Sequence, residues 1–280
     1  MAILDLVLNC LCLLLWLNSR SRGLTGIPRV PGVALVGTLK RAERRTSDAW
    51  SSGLVLLVVL FLRAILYWQV GSALRWTPSI GLGPVVLHFR SDMFSRMMLF
   101  SLLGFAMFLA GFYFSLFLLA AVNRRQPSGE RWPAMVRGHL GALARLPGWL
   151  MLLAPPVILF CFWMTFGYLF AALQLVAPVG SLARPALQAS FIGLSAWLLW
   201  QYVVGAILVL HILSSYIYLG RAPLWSFVNT TAGRFLRPLA FLPLRIRKVD
   251  LAPFLALGLL VLAVWLVPEG LGWLYARFAS

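Results

Sequence analysis

Six long apolar stretches leave this chain few ways to fold. They occupy residues 2–18, 53–70, 97–122, 149–176, 186–219 and 251–267. A helix crosses the ~30 Å hydrocarbon core of a bilayer with about 20 apolar residues, in a range of about 17–25. Strands of soluble domains are far shorter, at about 5–6 residues. Composition points the same way: 61% of the 280 side chains are hydrophobic, against ~45–50% in soluble domains. That is more apolar surface than one globular core can hide, and in lipid every backbone polar group must be satisfied within its own segment. The expected fold class is therefore all-α, a polytopic membrane protein of about six transmembrane helices with interfacial amphipathic helices in its loops.

The stretches differ in character. The first carries Asp5 and Asn9, has no basic residue ahead of it, and is followed by Arg20 and Arg22 rather than by a small-residue cleavage site. That order reads as a retained anchor with its N-terminus outside. The second contains Arg63, yet its Leu, Val, Ile and Phe residues together favour insertion by about 3–7 kcal/mol against about 2.5–3.5 kcal/mol for one central Arg. Insertion wins. Two roles are open to Arg63: pairing with an intramembrane carboxylate (Asp5) or a lipid phosphate, or reaching along its own helix toward a headgroup. The fourth stretch contains Pro155 and Pro156, either a kink or a discontinuous helix. The fifth, with Gln201 and His211, is longer than a bilayer needs, and Pro268 closes the sixth.

Net charge is +17, and it is not spread evenly. The successive loops and the tail carry 7, 3, 5, 1, 6 and 1 bases, alternating high and low at every step. Cytoplasmic loops accumulate Lys and Arg, so six spans with both termini outside place the three rich loops on the cytoplasmic face. If one stretch failed to cross, the alternation would break. Charge laid out in this way records orientation and interaction with anionic phospholipid headgroups; it does not point to nucleic acid.

Some loops carry their own pattern. Over residues 225–239, apolar side chains fall at Trp225, Val228, Ala232, Phe235 and Leu239, one helical stripe away from Arg234 and Arg237. Such a helix lies flat, either in the interface with its rings at the acyl boundary or packed on the protein's own spans, and Pro238 ends it. Residues 135–146 show a weaker pattern, and Gly138 and Gly141 argue against a helix there. A fainter regularity links the second and third stretches to the fifth and sixth: a span ending in aromatics, a loop with Pro and Arg, then an acidic residue (Asp92, Asp250) at the next helix start. Asp at that place caps orphan N–H groups. With one span between them, the two units would be inverted. The expected organisation is an anchor and basic loop (1–48), a first two-helix unit (49–125), a basic loop with a linking span (126–185) and a second unit with a short tail (186–280).

Within the second unit, Tyr216-Ile217-Tyr218-Leu219-Gly220, Trp225-Ser226-Phe227-Val228-Asn229-Thr230-Thr231, Leu236-Arg237-Pro238-Leu239, Leu242-Pro243-Leu244-Arg245 and Val249-Asp250-Leu251-Ala252-Pro253 resemble the YggT (YlmG-like) family of integral membrane proteins. The resemblance covers about residues 198–267; the first unit, residues 62–103, matches less well, with Met93-Phe94 after Asp92. The chain departs from the two-unit pattern by its extra N-terminal stretch and its linking span. The resemblance implies a small protein of bacterial or plastid membranes, concerned with upkeep of the envelope or of photosynthetic membranes, without an enzymatic reaction. Asn229, Arg237, Pro238, Asp250 and Pro253 are the matching positions, with structural roles.

Catalytic motifs are not visible. The His residues are His88, His139 and His211, with no HExxH; Gly193-Leu194-Ser195 lacks the second Gly of GxSxG; and Cys10 and Cys12 sit in an apolar run without a neighbouring His. Gly81-Leu82-Gly83-Pro84 reads as a loop. No catalytic residue, cofactor or metal site is expected. For transport, the intramembrane ionisable groups are Asp5, Arg63 and His211, beside neutral Asn9, Gln174 and Gln201. His211 is the best candidate for a proton site, or else is a hydrogen-bonded structural side chain. The reading that fits most features is a non-enzymatic scaffold or assembly factor in the bacterial inner membrane, gripping lipid or a membrane-protein partner. The alternative is a small-solute or ion channel or transporter of two inverted units.

Overall fold

The computed structural model describes residues 2–21, 49–74, 76–124, 131–176, 183–217, 222–242, 245–246 and 249–279. Arg22, Arg29, Lys40, Arg41, Arg44, Arg45, Arg75, Arg125, Arg221, Arg247 and Lys248, all counted for topology, lie outside the described residues, as do Tyr218-Leu219-Gly220 and Pro243-Leu244 of the family-like segment.

The chain folds as an all-α protein with six helical stretches long and apolar enough to cross a membrane among the described residues. These are α1 (Ala2–Ser21), α2 (Ala49–Leu74), α3 (Phe94–Val122), α5 (Gly148–Ala172), the pair α6 (Ala183–Ser195) and α7 (Trp200–Tyr216), and α9 (Ala252–Ala279). Shorter elements fill the connections: α4 (Arg131–Leu140), α8 (Pro223–Leu236), an antiparallel hairpin of β1 (Ser79–Leu82) and β2 (Val85–His88), and a two-residue ladder of β3 (Arg245–Ile246) and β4 (Val249–Asp250). The contacts divide the chain into two compact units. One comprises residues 1–78 and 89–109, the other 79–88 and 110–280.

In the first unit, α1 and α2 pack along a seam of Cys12, Leu56, Leu60 and Phe105, flanked by Leu15, Trp16, Val59 and Leu109. These residues recur at helical spacing, which is what puts them on facing stripes. α3 approaches α2 closely because small residues face it. Ser101 Oγ donates to the Leu60 carbonyl at 2.9 Å, and a Cβ on Gly104 would lie 3.3 Å from the Arg63 guanidinium. Small side chains at a helix interface let backbones approach where lipid offers no hydrophobic drive. Tyr67, Trp76, Phe89 and Phe100 close one end as a cluster of edge-on rings.

The second unit holds the departures from the sequence reading. The fifth stretch is not one helix: α6 and α7 are separated by a 3₁₀ segment, Ala196–Leu199. Opposite it, α5 runs unbroken through Pro155 and Pro156. Pro156 cannot donate to the Leu152 carbonyl four residues back, and the Trp197 indole N–H takes that place at 2.9 Å. A neighbouring helix thus satisfies the freed carbonyl, as lipid requires. The crossing is tight, since a Cβ on Gly193 would lie 2.8 Å from the Pro156 carbonyl. Gln174, at φ 56°, ends α5: Leu175 N–H reaches back to the Phe170 carbonyl and Gln174 N–H to that of Ala171, the two-bond closure of a Schellman motif.

The sixth stretch does not stop at Pro268; α9 continues to Ala279. One Pro removes one backbone bond, whereas the residues beyond it still pack: Tyr275 stacks edge-on with Phe191 and accepts from Gln188 Nε2 at 3.1 Å. The loop reading of Gly81-Leu82-Gly83-Pro84 is replaced by a hairpin turned at Gly83, φ +61°, whose Cβ would lie 2.7 Å from Ser195 Oγ. Residues 135–140 do belong to a helix, α4, which passes through Gly138 and gives way where Gly141 takes φ +58° to a 3₁₀ segment, Gly141–Arg145. α8 turns its stripe toward the protein, burying Phe227, Val228, Thr231 and Ala232, with Leu224 and Phe235 packed around Ile207. Trp225 and Phe235, the rings of that stripe, are half-buried.

Candidate functional site

Among the described residues, four groups of polar side chains each join two or more elements. The first lies between α1 and α2. Asp5 and Asn9 are one turn apart on α1, and Arg63 and Tyr67 one turn apart on α2, so each pair shares a helix face. Arg63, 2% exposed, pairs through Nη2 with Asp5 Oδ1. Its Nη1 donates to Asn9 Oδ1 at 2.8 Å and its Nε to Tyr67 Oη at 3.1 Å. Tyr67 Oη donates to Asp5 Oδ1 at 2.7 Å, and Asn9 Nδ2 to Asp5 Oδ2 at 3.2 Å. The ring is closed: every member bonds at least one other across the helix interface or along its own helix. Of the two roles open to Arg63, it takes the carboxylate partner rather than reaching toward a headgroup. Tyr67 is the member the sequence reading missed; its position four residues after Arg63 was the available signal.

The second group gathers where α3 ends. Arg234 Nη1, from α8, donates to the Val122 carbonyl and to Asn123 Oδ1, both at 2.8 Å. Thr231 Oγ1 donates to Asn123 Oδ1 at 3.2 Å and to the Phe227 carbonyl at 2.7 Å. A guanidinium at a helix C-terminus neutralises the partial negative charge of the orphan carbonyls, worth typically ~0.3–1 kcal/mol. The docking of α8 thus caps α3.

The third group ties α8 to α7. His211 Nδ1 lies 2.8 Å from Asn229 Oδ1, and Ser214 Oγ donates to the same oxygen at 2.7 Å. That oxygen can only accept, so a hydrogen bond between the two is donated by Nδ1. His211 is half-buried near the C-terminus of α7, within the candidate span 184–216. A further tie joins three helices: Trp163 Nε1 of α5 donates to Gln188 Oε1 of α6 at 3.2 Å, and Gln188 in turn bonds Tyr275 of α9.

The remaining family-like positions punctuate the chain. Arg237 and Pro238 are exposed in the 3₁₀ turn, Arg237–Leu239, that follows α8. Asp250 Oδ1 accepts from Ala252 N–H at 3.0 Å at the start of α9, and Pro253 is buried in that first turn, where its missing N–H has no intrahelical acceptor to serve. Asp92 behaves differently: its carboxylate takes Arg90 Nη2 at 2.8 Å and Nε at 3.3 Å. Of the other His residues, His139 is buried on α4 and His88 exposed on β2. Cys10 and Cys161 are exposed and Cys12 buried. No family model, characterised protein or solved structure matches the chain.

Proposed function

We propose that the protein is a non-enzymatic integral membrane scaffold of the YggT type, serving assembly or upkeep of the bacterial inner membrane. One observation carries this reading. Three sets of polar side chains on the described spans are engaged as ties between helices: Asp5–Asn9–Arg63–Tyr67, Trp163–Gln188–Tyr275 and His211–Asn229–Ser214, while Gln201 Oε1 on α7 is buried without a hydrogen-bond partner. A carrier keeps ionisable groups for its substrate; a framework uses them on itself. The basic loops give such a framework its hold on anionic phospholipid headgroups, at about 1 kcal/mol for each base near the surface, and leave a membrane-protein partner as its client. The five family-like positions, Asn229, Arg237, Pro238, Asp250 and Pro253, fit this reading as stops, caps and one inter-helix bond.

The channel or transporter alternative draws on one feature, the 3₁₀ break in the fifth span beside Pro155 and Pro156 of α5, since broken helices mark the midplane sites of some carriers. Flux separates the two readings. Vesicles reconstituted with the protein should remain tight to ions and small osmolytes, as empty vesicles are. Selective flux that disappears in His211→Ala or Arg63→Ala would overturn the scaffold reading. Co-purification from native membranes should then return a defined membrane-protein client.

A further inference from the structure

We infer that α1 and α2 cross the membrane as a mutually dependent pair, Arg63 drawing Asp5, and with it α1, into the bilayer. The outward face of α1 is bare: Ile3, Leu6, Val7 and Leu14 are all more than half exposed. What holds the helix is an apolar seam around Cys12 and, toward its N-terminus, the four-residue ring centred on Arg63.

The ring is arranged for charge compensation. Arg63 sits at the middle of the span 53–74, where an unpaired guanidinium is least welcome. Its three nitrogens are each directed at a different group of the ring, and the carboxylate takes hydrogen bonds from Arg63, Tyr67 and Asn9. Taken alone, α1 carries a carboxylate and an amide into lipid, and α2 carries a cation. Together they present a neutral, mutually bonded pair. Removing one partner of a buried pair leaves the other charge uncompensated, whereas removing both with apolar replacements is tolerated. The dependence is therefore reciprocal, and it makes the placement of the N-terminus a property of a residue on α2. This inference rests on the membrane-spanning character of α1 and α2 and stands apart from the scaffold reading; the outcome of the flux measurement does not bear on it.

The experiment uses the full chain in membranes, with Cys10, Cys12 and Cys161 replaced by alanine. One reporter cysteine is placed ahead of Met1 and, in a second version, one at Ala142, which is exposed in the segment between α4 and α5. A membrane-impermeant maleimide is applied from one face. The parent should show the two reporters on opposite faces, three spans apart. Arg63→Leu should shift the N-terminal reporter to the face of the Ala142 reporter, raising the misplaced fraction about tenfold, and Asp5→Leu/Arg63→Leu should restore the parent pattern. The exchange Asp5→Arg/Arg63→Asp should also restore it in part. Parent-like placement in Arg63→Leu would overturn the inference. So would a displacement of either reporter that the double variant fails to reverse, or a parent with both reporters on one face.

Discussion

Outside the spans, Asp92 forms a solvent-exposed pair with Arg90. The hydrogen bonds from Arg90 hold its carboxyl below the ordinary carboxylate value; slight desolvation opposes this, and the Arg90 charge adds to it. Because the folded value is the lower one, the pair stabilises the fold above the unfolded carboxyl range, and that contribution fades as pH falls through the lowered value. The pair is open to solvent, so the effect on stability is small. In a side-chain ¹³C titration Asp92 should protonate below the usual range, and Arg90→Gln should move its midpoint upward; an unmoved midpoint would remove Arg90 as the cause. Arg234 stands at the other extreme, half-buried with one nitrogen serving two acceptors. Arg234→Met should keep much of the stem packing but leave the Val122 carbonyl unserved and Asn123 Oδ1 with Thr231 as its remaining donor, lowering stability by ~1–3 kcal/mol. Thermal unfolding of the detergent-purified protein measures this, and an unchanged midpoint would show that the cap contributes nothing.

Elements were legible from the sequence in proportion to how local their causes are. A run of apolar residues the length of a bilayer declares a helix without reference to anything distant, and all six stretches became helical. The amphipathic helix α8 was legible through its stripe, but which surface the stripe faces depends on α7 and α3. The 3₁₀ break at 196–199 contains neither Gly nor Pro, and the sequence reading carried no sign of it. The break sits opposite the carbonyl that Pro156 frees on α5, so a partner helix is part of its surroundings. The hairpin 79–88 was missed because four-residue strands carry too few alternations to register. Arg63 and Asp5 could be named as possible partners, yet only the fold could choose between a carboxylate and a headgroup. The link between α5 and the break is open to a double-mutant cycle. Trp197→Phe should leave the Leu152 carbonyl without a donor and destabilise by ~1–2 kcal/mol. With Pro156→Ala in place the helix supplies its own N–H, and the same substitution should then have little effect. Equal losses in both backgrounds would break the link.

For the whole molecule, the alternation of loop charge makes a single commitment about sidedness. Reporter cysteines in residues 22–48, 125–147 and 217–250 should all label from the cytoplasmic face, and those ahead of Met1, within 75–93 or after Phe278 from the other. Any one reporter on the wrong face would mean that a neighbouring helix does not cross. The tryptophans bear on a different property. Of twelve in the chain, Trp68, Trp163, Trp197 and Trp200 direct their indole N–H at acceptors within the protein: the Asp92 carbonyl, Gln188, and the Leu152 and Phe114 carbonyls. Such indoles hold their N–H within the protein, so their ultraviolet absorption edge and emission respond to separation of the elements they join. The protein thereby carries an intrinsic optical gauge of its own assembly, which can be read without a label while it folds or comes apart.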